Sequence, residues 1–235
     1  MGASSPVRLS QVTPVSATSL AIERMLPVDD TFASLFHTPG AERPGLVRGQ
    51  VIHCTGAAPL SMALALAAAA SRAGAWLAVV DVPGLGVEAT GELGVLLERL
   101  VRVETGPAGQ WADVMCAVAD GFELIVTEIP RGVSAATARR VHQRIRARGG
   151  VLLTTASGRS GSPMSSDLDV RTVSPQWKGL GAGHGYLRAR RLVVEASGRR
   201  LPQTRSIEVW LPGPTGRPEP VDGEVIDLTV AAAGA

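Results

Sequence analysis

The sequence predicts an α/β fold in which a doubly wound, mostly parallel sheet carries an antiparallel extension towards its C-terminal end. Strand-like and helix-like segments alternate from residue 49 to residue 155, which is typical of such sheets. Three further strand-like segments follow residue 166 with no helical pattern between them, and these predict the antiparallel part. Because 45% of the 235 residues are hydrophobic but only 3% are aromatic, we expect one main domain with a core of alanine, valine and leucine.

The predicted fold is organised around a βαβ unit over residues 49–81. An apolar, β-branched run predicts a strand over residues 50–55, and a turn follows over residues 56–59. The alanine-rich segment 60–73 has a high helix propensity and ends before Gly74, a residue that often stops helices. Residues 76–81 are nearly all apolar, which predicts a second parallel strand that is buried on both faces.

The later elements follow from the hydrophobic period and from the positions of glycine and proline. Residues 88–94 predict a short helix, and residues 100–103 predict a third strand. Trp111, Val114, Met115 and Val118 recur at helical spacing, so residues 110–119 predict an amphipathic helix whose apolar stripe belongs to the core. The remaining predicted elements are a strand over 123–128, a helix capped by Ser134 that runs to residue 148, and strands over 151–155, 168–173, 187–196 and 206–211.

Both ends of the chain are predicted to lie outside the core. Residues 1–45 are an N-terminal segment with a short helix over 16–25, residues 46–212 are the core domain, and residues 213–235 are a flexible tail. A glycine-rich turn over residues 179–185 is predicted to join the first two antiparallel strands. The tail mixes apolar with acidic residues, and such a segment can order on a basic partner. Its candidate partner-binding side chains are therefore Val225, Ile226 and Leu228.

The turn between the first strand and the first helix has the position of a phosphate-binding loop but not its chemistry. The pattern Gly-x-x-x-x-Gly-Lys-Ser/Thr needs a lysine that contacts the phosphates. Here the turn begins at Thr55 and Gly56, and Pro59 and Leu60 occupy the positions of the lysine and of the serine or threonine. An alignment shifted by one residue places Ser61 at the hydroxyl position but supplies no lysine. The turn contains no lysine in either alignment. We therefore predict a nucleotide-binding scaffold without its catalytic parts, and no cofactor.

Other candidate catalytic side chains are interpreted as structural. Glu128 ends the fourth strand, where a carboxylate could hold Mg²⁺ through water, but without the lysine a solvated strand-end side chain is the favoured interpretation. Asp81 ends the second strand, and the next candidate position is Pro83, whose side chain has no proton to transfer. The histidines show no triad or metal-ligand spacing, and the cysteines show no zinc pattern. These structural residues are His37, His53, His142, His184, Cys54 and Cys116.

Basic residues are clustered although the formal net charge is only +2. Lys178, Arg188, Arg190 and Arg191 flank the glycine-rich turn, where they could contact phosphates; the alternative is a solvated hairpin. Further arginines predict a basic outer surface on the helix over 134–148. We expect any DNA binding to be weak and to fall steeply with salt. The glycine repeat is not a dinucleotide fingerprint, because a strand and not a helix follows it.

The sequence also predicts a cytoplasmic protein with no membrane contact. No apolar stretch reaches about 18 residues without a charge, which is the length that a membrane helix needs. The first residues lack the basic region followed by a hydrophobic one that marks a secretory signal.

The order of the elements and several local strings resemble the RecA core. Residues 51–81 are similar to the strand, helix and following strand around its phosphate-binding loop, and residues 91–100 are similar to the segment before its third strand. The resemblance places the catalytic glutamate of RecA at Pro83. It implies that the first DNA-binding loop is missing, since only residues 129–133 precede the next helix. It also implies that the second loop survives only as the Gly/Ser-rich stretch from Ser157.

A more specific resemblance lies in the C-terminal part of the core. Residues 177–195 read Trp-Lys-Gly-Leu-Gly-Ala-Gly-His-Gly-Tyr-Leu-Arg-Ala-Arg-Arg-Leu-Val-Val-Glu, and residues 209–214 read Val-Trp-Leu-Pro-Gly-Pro. This segment resembles the ImuA′ group of actinobacterial RecA-like proteins, and the resemblance covers most of residues 49–214. It implies an accessory protein of damage-induced mutagenesis that works with ImuB, a Y-family polymerase homologue. It further implies indirect links to an error-prone replicative-type polymerase and the sliding clamp, with RecA as another candidate partner.

Together, the residues and the resemblance predict a catalytically silent RecA-like adaptor in SOS translesion synthesis. Two alternatives stay open. The first is a nucleotide-dependent switch that uses Glu128 and the backbone amides after Gly56, and a nucleotide-binding titration separates it from the adaptor. The second is an inhibitor of cell division of the SulA type, which would make cells filamentous on overexpression without any ImuB homologue.

Overall fold

The computed structural model describes residues 25–37, 43–106, 108–155, 163–180, 185–199 and 201–221. The strands within these residues are β1 (Met25–Pro27), β2 (Gly45–Val47), β3 (Val51–Gly56), β4 (Leu77–Val80), β5 (Leu100–Val103), β6 (Leu124–Glu128), β7 (Val151–Thr155), β8 (Leu168–Leu180), β9 (Gly185–Gly198), β10 (Arg205–Trp210) and β11 (Glu219–Pro220). The α-helices are α1 (Ala33–Phe36), α2 (Pro59–Arg72), α3 (Val87–Glu92), α4 (Trp111–Gly121) and α5 (Ala135–Arg148), and short 3-10 turns lie at Asp30–Phe32, Leu97–Arg99 and Ala108–Gln110.

One large mixed sheet forms the centre of the molecule. Its strand order is β11-β10-β9-β8-β3-β7-β6-β4-β5. The strands from β8 to β5 in this order pair in parallel, whereas β8 to β11 pair antiparallel to one another. The prediction of an α/β fold with a mostly parallel sheet and an antiparallel extension is therefore confirmed.

Helix α2 covers the middle of one face of the sheet. Its alanines let it lie close to β3 and β7, and nine of its fourteen residues are buried. A helix that is apolar nearly all round must be covered on its outer side as well. Leu26 and Val28 of the N-terminal segment belong to the same buried cluster as α2 and provide part of this cover. Arg72, the last residue of α2, anchors the segment through an ion pair with Asp29 at 3.0 Å.

The opposite face of the parallel strands is covered by α4 and α5. Trp111 and Met115 of α4 and Val141 and Ile145 of α5 form a second buried cluster with residues of β3, β4, β6 and β7. The stripe predicted for α4 is therefore core, as expected. The Ser134 side chain accepts a hydrogen bond from the Thr137 amide at 3.1 Å, which confirms the predicted cap of α5. Helices on both faces explain why the parallel strands are almost entirely apolar.

The N-terminal part of the chain differs from the prediction. The helix predicted over residues 16–25 lies outside the described residues except for Met25, which begins β1. Strand β1 pairs with β2 in a separate two-stranded sheet, so residues 45–47 do not simply lead into β3. A 3-10 turn capped by Asp29 and the short helix α1 then bury Phe32 and Leu35 completely. Arg205 of β10 donates hydrogen bonds to the carbonyls at the end of α1, so this segment packs on the antiparallel extension.

The antiparallel strands are longer than predicted. β8 and β9 extend over 13 and 14 residues and pair from Leu168↔Gly198 to Leu180↔Gly185. The predicted strand ends at residue 173 because the distal half of β8 lies beyond the covered core, where no buried face imposes alternation. Strand β9 exceeds its predicted bounds by only two residues at each end. Residues 181–184 of the predicted glycine-rich turn lie outside the described residues.

The ordered chain also continues past the predicted start of the tail at residue 213. The Gly213 amide donates to the Arg217 carbonyl at 2.8 Å, and the turn it closes leads into β11. Strand β11 pairs with β10 through Val209↔Pro220 and Trp210↔Glu219. The boundary predicted at residue 213 is therefore too early, because the Pro/Gly-rich composition here encodes a tight turn and not a flexible segment.

Among the residues that the structure describes, no helix has both the length and the apolar character required to cross a membrane.

Candidate functional site

The candidate site lies at the carboxyl edge of the parallel strands, where doubly wound sheets bind their ligands. Gly56 ends β3 and Glu128 ends β6, with β7 between them; Cys54 is opposite Thr155, and Thr155 is opposite Glu128. The two candidate nucleotide-binding positions therefore share one edge and lie about 12 Å apart, across two strand spacings and two residues along β3. The structure brings together the residues that the sequence placed there.

The turn after Gly56 is filled by a side chain of the protein itself. The backbone carbonyl of Thr172 on β8 accepts a hydrogen bond from the Ala57 amide at 2.9 Å. The side-chain hydroxyl of Thr172 accepts a second one from the Ala58 amide at 2.8 Å. The same hydroxyl donates to the Thr55 carbonyl at 3.0 Å. In a phosphate-binding loop these amides point at the anion. Here they are already bonded, and Thr172 is fully enclosed at 1% exposure.

The N-terminus of α2 offers few donors for a phosphate. Pro59 is its first residue and has no N–H group, and Ala58 provides no side-chain cap. Ser61, at the position of the missing hydroxyl ligand, lies 3.3 Å from Nη2 of Arg190 on β9. Arg190 thus brings a cation to the place where the lysine is absent. Its guanidinium is also bound to the Leu211 carbonyl and stacked 4.9 Å from the Trp177 ring, and burial lowers its pKa.

Asp81 has a structural partner and not a catalytic one. Its carboxylate accepts hydrogen bonds from the amide and the hydroxyl of Thr105, which follows β5. Asp81 has a positive φ of 51°, a conformation that aspartate tolerates better than most residues because it bonds locally. Pro83, the position of the glutamate in RecA by resemblance, is exposed just beyond it. Glu128 is also exposed, in agreement with a solvated strand end.

The arginines of α5 are largely neutralised by carboxylates. Arg140 pairs with Asp113 at 2.8 Å, and Arg144 and Arg148 both pair with Asp120 of α4. Arg146 lies 3.8 Å from Asp167. The basic outer surface predicted for this helix is therefore mostly a set of ion pairs that fix α5 on α4. This arrangement leaves little net positive charge to bind phosphate.

The four candidate nucleic-acid contacts lie together on β8 and β9, two of them near the turn of the long hairpin and two near its middle. Lys178 lies 4.5 Å from the ring of Trp210, and Arg190 bonds to Ser61 and Leu211 as described above. Arg191 forms an ion pair with Glu208 on β10. Arg188 is exposed close to them. The structure thus confirms that the hairpin gathers these residues, and it gives Arg190 and Arg191 internal partners that the sequence does not reveal.

Two histidines lie near carboxylates but do not form a catalytic triad. His142 on α5 has Nδ1 3.5 Å from the Ser165 hydroxyl and Nε2 3.8 Å from Oδ2 of Asp167. Both distances are too long for the short hydrogen bonds of a working triad. The Oδ2 atom of Asp167 instead accepts a hydrogen bond from the Val51 amide at 3.0 Å. His53 on β3 lies 3.9 Å from Asp169.

These histidines predict that the protein loses stability in mild acid. Burial lowers the pKa of His53 and of His142 below the ordinary value of 6.5, against the raising effects of Asp169 and Asp167. Between about pH 6.5 and the lower pKa values of the folded state, the unfolded chain therefore binds more protons than the folded chain does. The free energy of unfolding falls as the pH drops through about 6.5, and it levels off below the folded pKa values. Urea denaturation between about pH 8 and pH 5 measures this slope. Replacing both by glutamine should flatten it, while His37→Gln, at an exposed position, should not.

The two cysteines are free and lie in different environments. Cys54 on β3 is completely buried, and burial raises the pKa of its thiol to about 12. Cys116 on α4 is only partly buried and borders an open cavity of about 510 Å³ between α4 and α5, with Arg140 and Arg144 on its walls. Among the described residues, no group of three or more histidine, cysteine, aspartate or glutamate side chains is placed to hold a metal ion.

Two residues of the site were missed by sequence reasoning. The sequence assigns Thr172 only to a strand. A threonine on the same strand face as the buried Val170 needs a hydrogen-bond partner, and that need is the available signal. Thr105 gave no signal, because its bond to Asp81 depends on the positions of two separate strand ends. The candidate partner-binding residues Val225, Ile226 and Leu228 lie outside the described residues.

Comparison with known proteins identifies the family. Residues 39–160, which include the turn after Gly56 and helices α2 to α5, match the model of the MT3502 N-terminal domain. The chain is also 32% identical over 145 residues to the uncharacterized protein Rv3395c of Mycobacterium tuberculosis, and the match covers 59% of this chain and 70% of that protein. The protein thus belongs to the family defined by the MT3502 N-terminal domain.

Proposed function

We propose that this protein is a non-catalytic accessory protein with a RecA-like fold that acts as an adaptor in SOS-induced translesion synthesis. It works in the cytoplasm and binds an ImuB-type Y-family polymerase homologue. Through that homologue it is linked to an error-prone replicative-type polymerase and to the sliding clamp. The identification with ImuA′ rests on the resemblance of residues 177–195 and 209–214, and the mycobacterial relative is compatible with it.

The observation that carries the non-catalytic part is the occupation of the loop by Thr172. A phosphate could bind only after the Ala57 and Ala58 amides had left Thr172, and no lysine is present to compensate. Breaking a buried hydrogen bond and leaving its partner unsatisfied costs about 1–3 kcal/mol. A scaffold that keeps its strand–turn–helix geometry but closes its anion site internally is suited to binding proteins and not to turnover.

The nucleotide-dependent switch is the second candidate, and one observation favours it. Arg190 places a guanidinium 3.3 Å from Ser61, which could partly replace the missing lysine. However, this guanidinium already has a carbonyl and an aromatic partner. The amides after Gly56 that the switch requires are bonded to Thr172. The adaptor therefore remains the better supported proposal, and no observation favours the SulA-type division inhibitor.

We predict that the purified protein neither hydrolyses ATP nor binds it with micromolar affinity. With Mg²⁺ and single-stranded DNA present, a coupled assay should detect no phosphate release above background, because both charge stabilisation and a water-activating carboxylate are missing. A titration with a fluorescent ATP analogue should show no saturable binding. Saturable binding or phosphate release that disappears in Glu128→Ala would contradict the adaptor proposal and favour the switch.

A further inference from the structure

The distal halves of β8 and β9 form a two-stranded arm that extends beyond the sheet. Strand β3 pairs with β8 only up to Gly56↔Thr172, and β10 pairs with β9 only up to Trp210↔Arg191. We use the name arm for residues 174–180 of β8 and 185–189 of β9. Among the described residues, no third strand pairs with the arm on either side. Its outer backbone groups are therefore open to strand addition.

The surface of the arm is apolar and positively charged. Trp177 and Leu187 are 44% and 48% exposed, which is high for large hydrophobic side chains. The sequence contains no acidic residue between Asp169 and Glu195. The five cations in that interval are Arg171, Lys178, Arg188, Arg190 and Arg191. A two-stranded hairpin is only marginally stable alone in water, so such an arm is expected to have a cover.

The C-terminal segment of the same chain has the complementary chemistry. Residues 222–235 carry three acidic side chains and no lysine, arginine or histidine. In an extended conformation Ile226, Leu228 and Val230 would share one face, since alternate residues of a strand point the same way. An acidic, aliphatic strand fits a basic arm that exposes Trp177 and Leu187.

The segment begins close enough to reach the arm. The described chain ends at Val221, directly after β11, and Glu219 of β11 is opposite Trp210, which is itself opposite Arg191 at the base of the arm. Two strand spacings amount to about 10 Å. Residues 222–235 could span roughly 46 Å if extended, at about 3.3 Å per residue. The chain can therefore turn back and run along an open edge of the arm.

We propose that residues 222–235 dock on the arm of their own molecule as an added strand. The acidic side chains lie against Lys178 and Arg188, and the aliphatic face covers Trp177 and Leu187. The contact is made within one molecule. It does not depend on the adaptor function proposed above, because it involves only this chain.

A charge-reversal cycle followed by hydrogen–deuterium exchange tests the proposal on the full chain. One variant carries Lys178→Glu and Arg188→Glu, a second carries Glu224→Lys and Asp227→Lys, and a third combines all four changes. In the wild-type protein we expect the amides of the arm to exchange at least about tenfold more slowly than in either reversed variant. The combined variant should recover the slow exchange, because the opposite charges face each other again.

Controls separate docking from general effects of charge and folding. Arg131→Glu with Arg139→Glu makes the same change of charge at exposed positions away from the arm, and it should leave exchange in the arm unchanged. Slow exchange in the buried helix α2 must persist in every variant, which shows that the core remains folded. The measurement is repeated over a wide range of protein concentration.

Three outcomes would overturn the proposal. Equal exchange of the arm in the wild-type protein and both reversed variants would show that the segment does not cover it. Protection that grows with protein concentration would assign the arm to a second copy of the chain. An arm unaffected by the tail changes but protected by an added single-stranded oligonucleotide would assign it to nucleic acid.

Discussion

Replacing Gly56 by alanine is expected to lower the free energy of unfolding by at least about 3 kcal/mol, the largest effect of any single substitution proposed for this protein. The new Cβ atom would lie 2.0 Å from the Thr172 carbonyl oxygen, and this is a backbone atom that cannot rotate away. Gly56 also has a φ of +93°, which an L side chain rarely adopts. To remove the clash, β3 and β8 must separate, and the hydrogen bonds of Thr172 to the turn would break.

Thermal unfolding measures this effect against a matched control. Gly132 has a similar φ of +85°, but a Cβ atom there would meet nothing within 4 Å. Gly132→Ala should therefore cost only the conformational strain, about 1–2 kcal/mol. In a protein of this size we expect Gly56→Ala to lower Tm by about 6–12 °C and Gly132→Ala by clearly less. Equal effects of the two substitutions would mean that the contact with Thr172 does not restrain the turn.

Ending the chain after Val221 is expected to abolish co-purification with an ImuB homologue and to leave the core stable. The cut lies after Val221 and not a few residues earlier, because the Pro218 carbonyl accepts a hydrogen bond from the Thr31 hydroxyl and β11 pairs with β10. A cut at 218 would remove these contacts and damage the sheet. The segment beyond Val221 contains the acidic, aliphatic residues proposed to order on the basic partner, and no described core contact depends on them.

Affinity capture with the tagged ImuB homologue and thermal unfolding test the two halves of this prediction. The shortened protein should be absent from the captured fraction, while its Tm should change by no more than about 2 °C. Deletion of residues 231–235, which are only alanine and glycine, provides the control and should retain binding. Full capture of the shortened protein would exclude the tail as the docking element and leave the N-terminal segment or the hairpin as candidates.

The parallel part of the fold could be predicted almost completely from sequence. Strands β5 and β7 have the predicted bounds, the ends of β3, β4 and β6 differ from the prediction by no more than one residue, and those of α2, α4 and α5 differ by no more than two. The reason is that their apolar period is imposed by burial, which acts on every residue of these elements. The missing lysine and the Pro59 position were likewise visible, because a phosphate-binding loop depends on residue identity at fixed spacing.

The remainder depends on contacts between distant parts of the chain. The segment Asp29–Phe36 was missed because its helical turns are too short to show a period, and they are fixed by packing and by Arg205. The distal half of β8 was missed because no core alternation marks a strand that leaves the sheet. Thr172 binds the turn through the Ala58 amide although the two residues are 114 positions apart in the sequence, so no local pattern could indicate this contact.

The contrast between the two thiols gives the protein a natural position for a single probe. A maleimide reacts with the thiolate, and Cys54 combines complete burial with a pKa of about 12, so it stays inert while the fold is intact. Cys116 borders an open cavity on the α4–α5 side and is the thiol that a reagent can reach. A fluorophore or spin label can therefore be attached to α4 of the unmodified sequence. The rate of the slower modification of Cys54 would then measure how often the central strand opens, so this buried thiol reports the unfolding rate of the core.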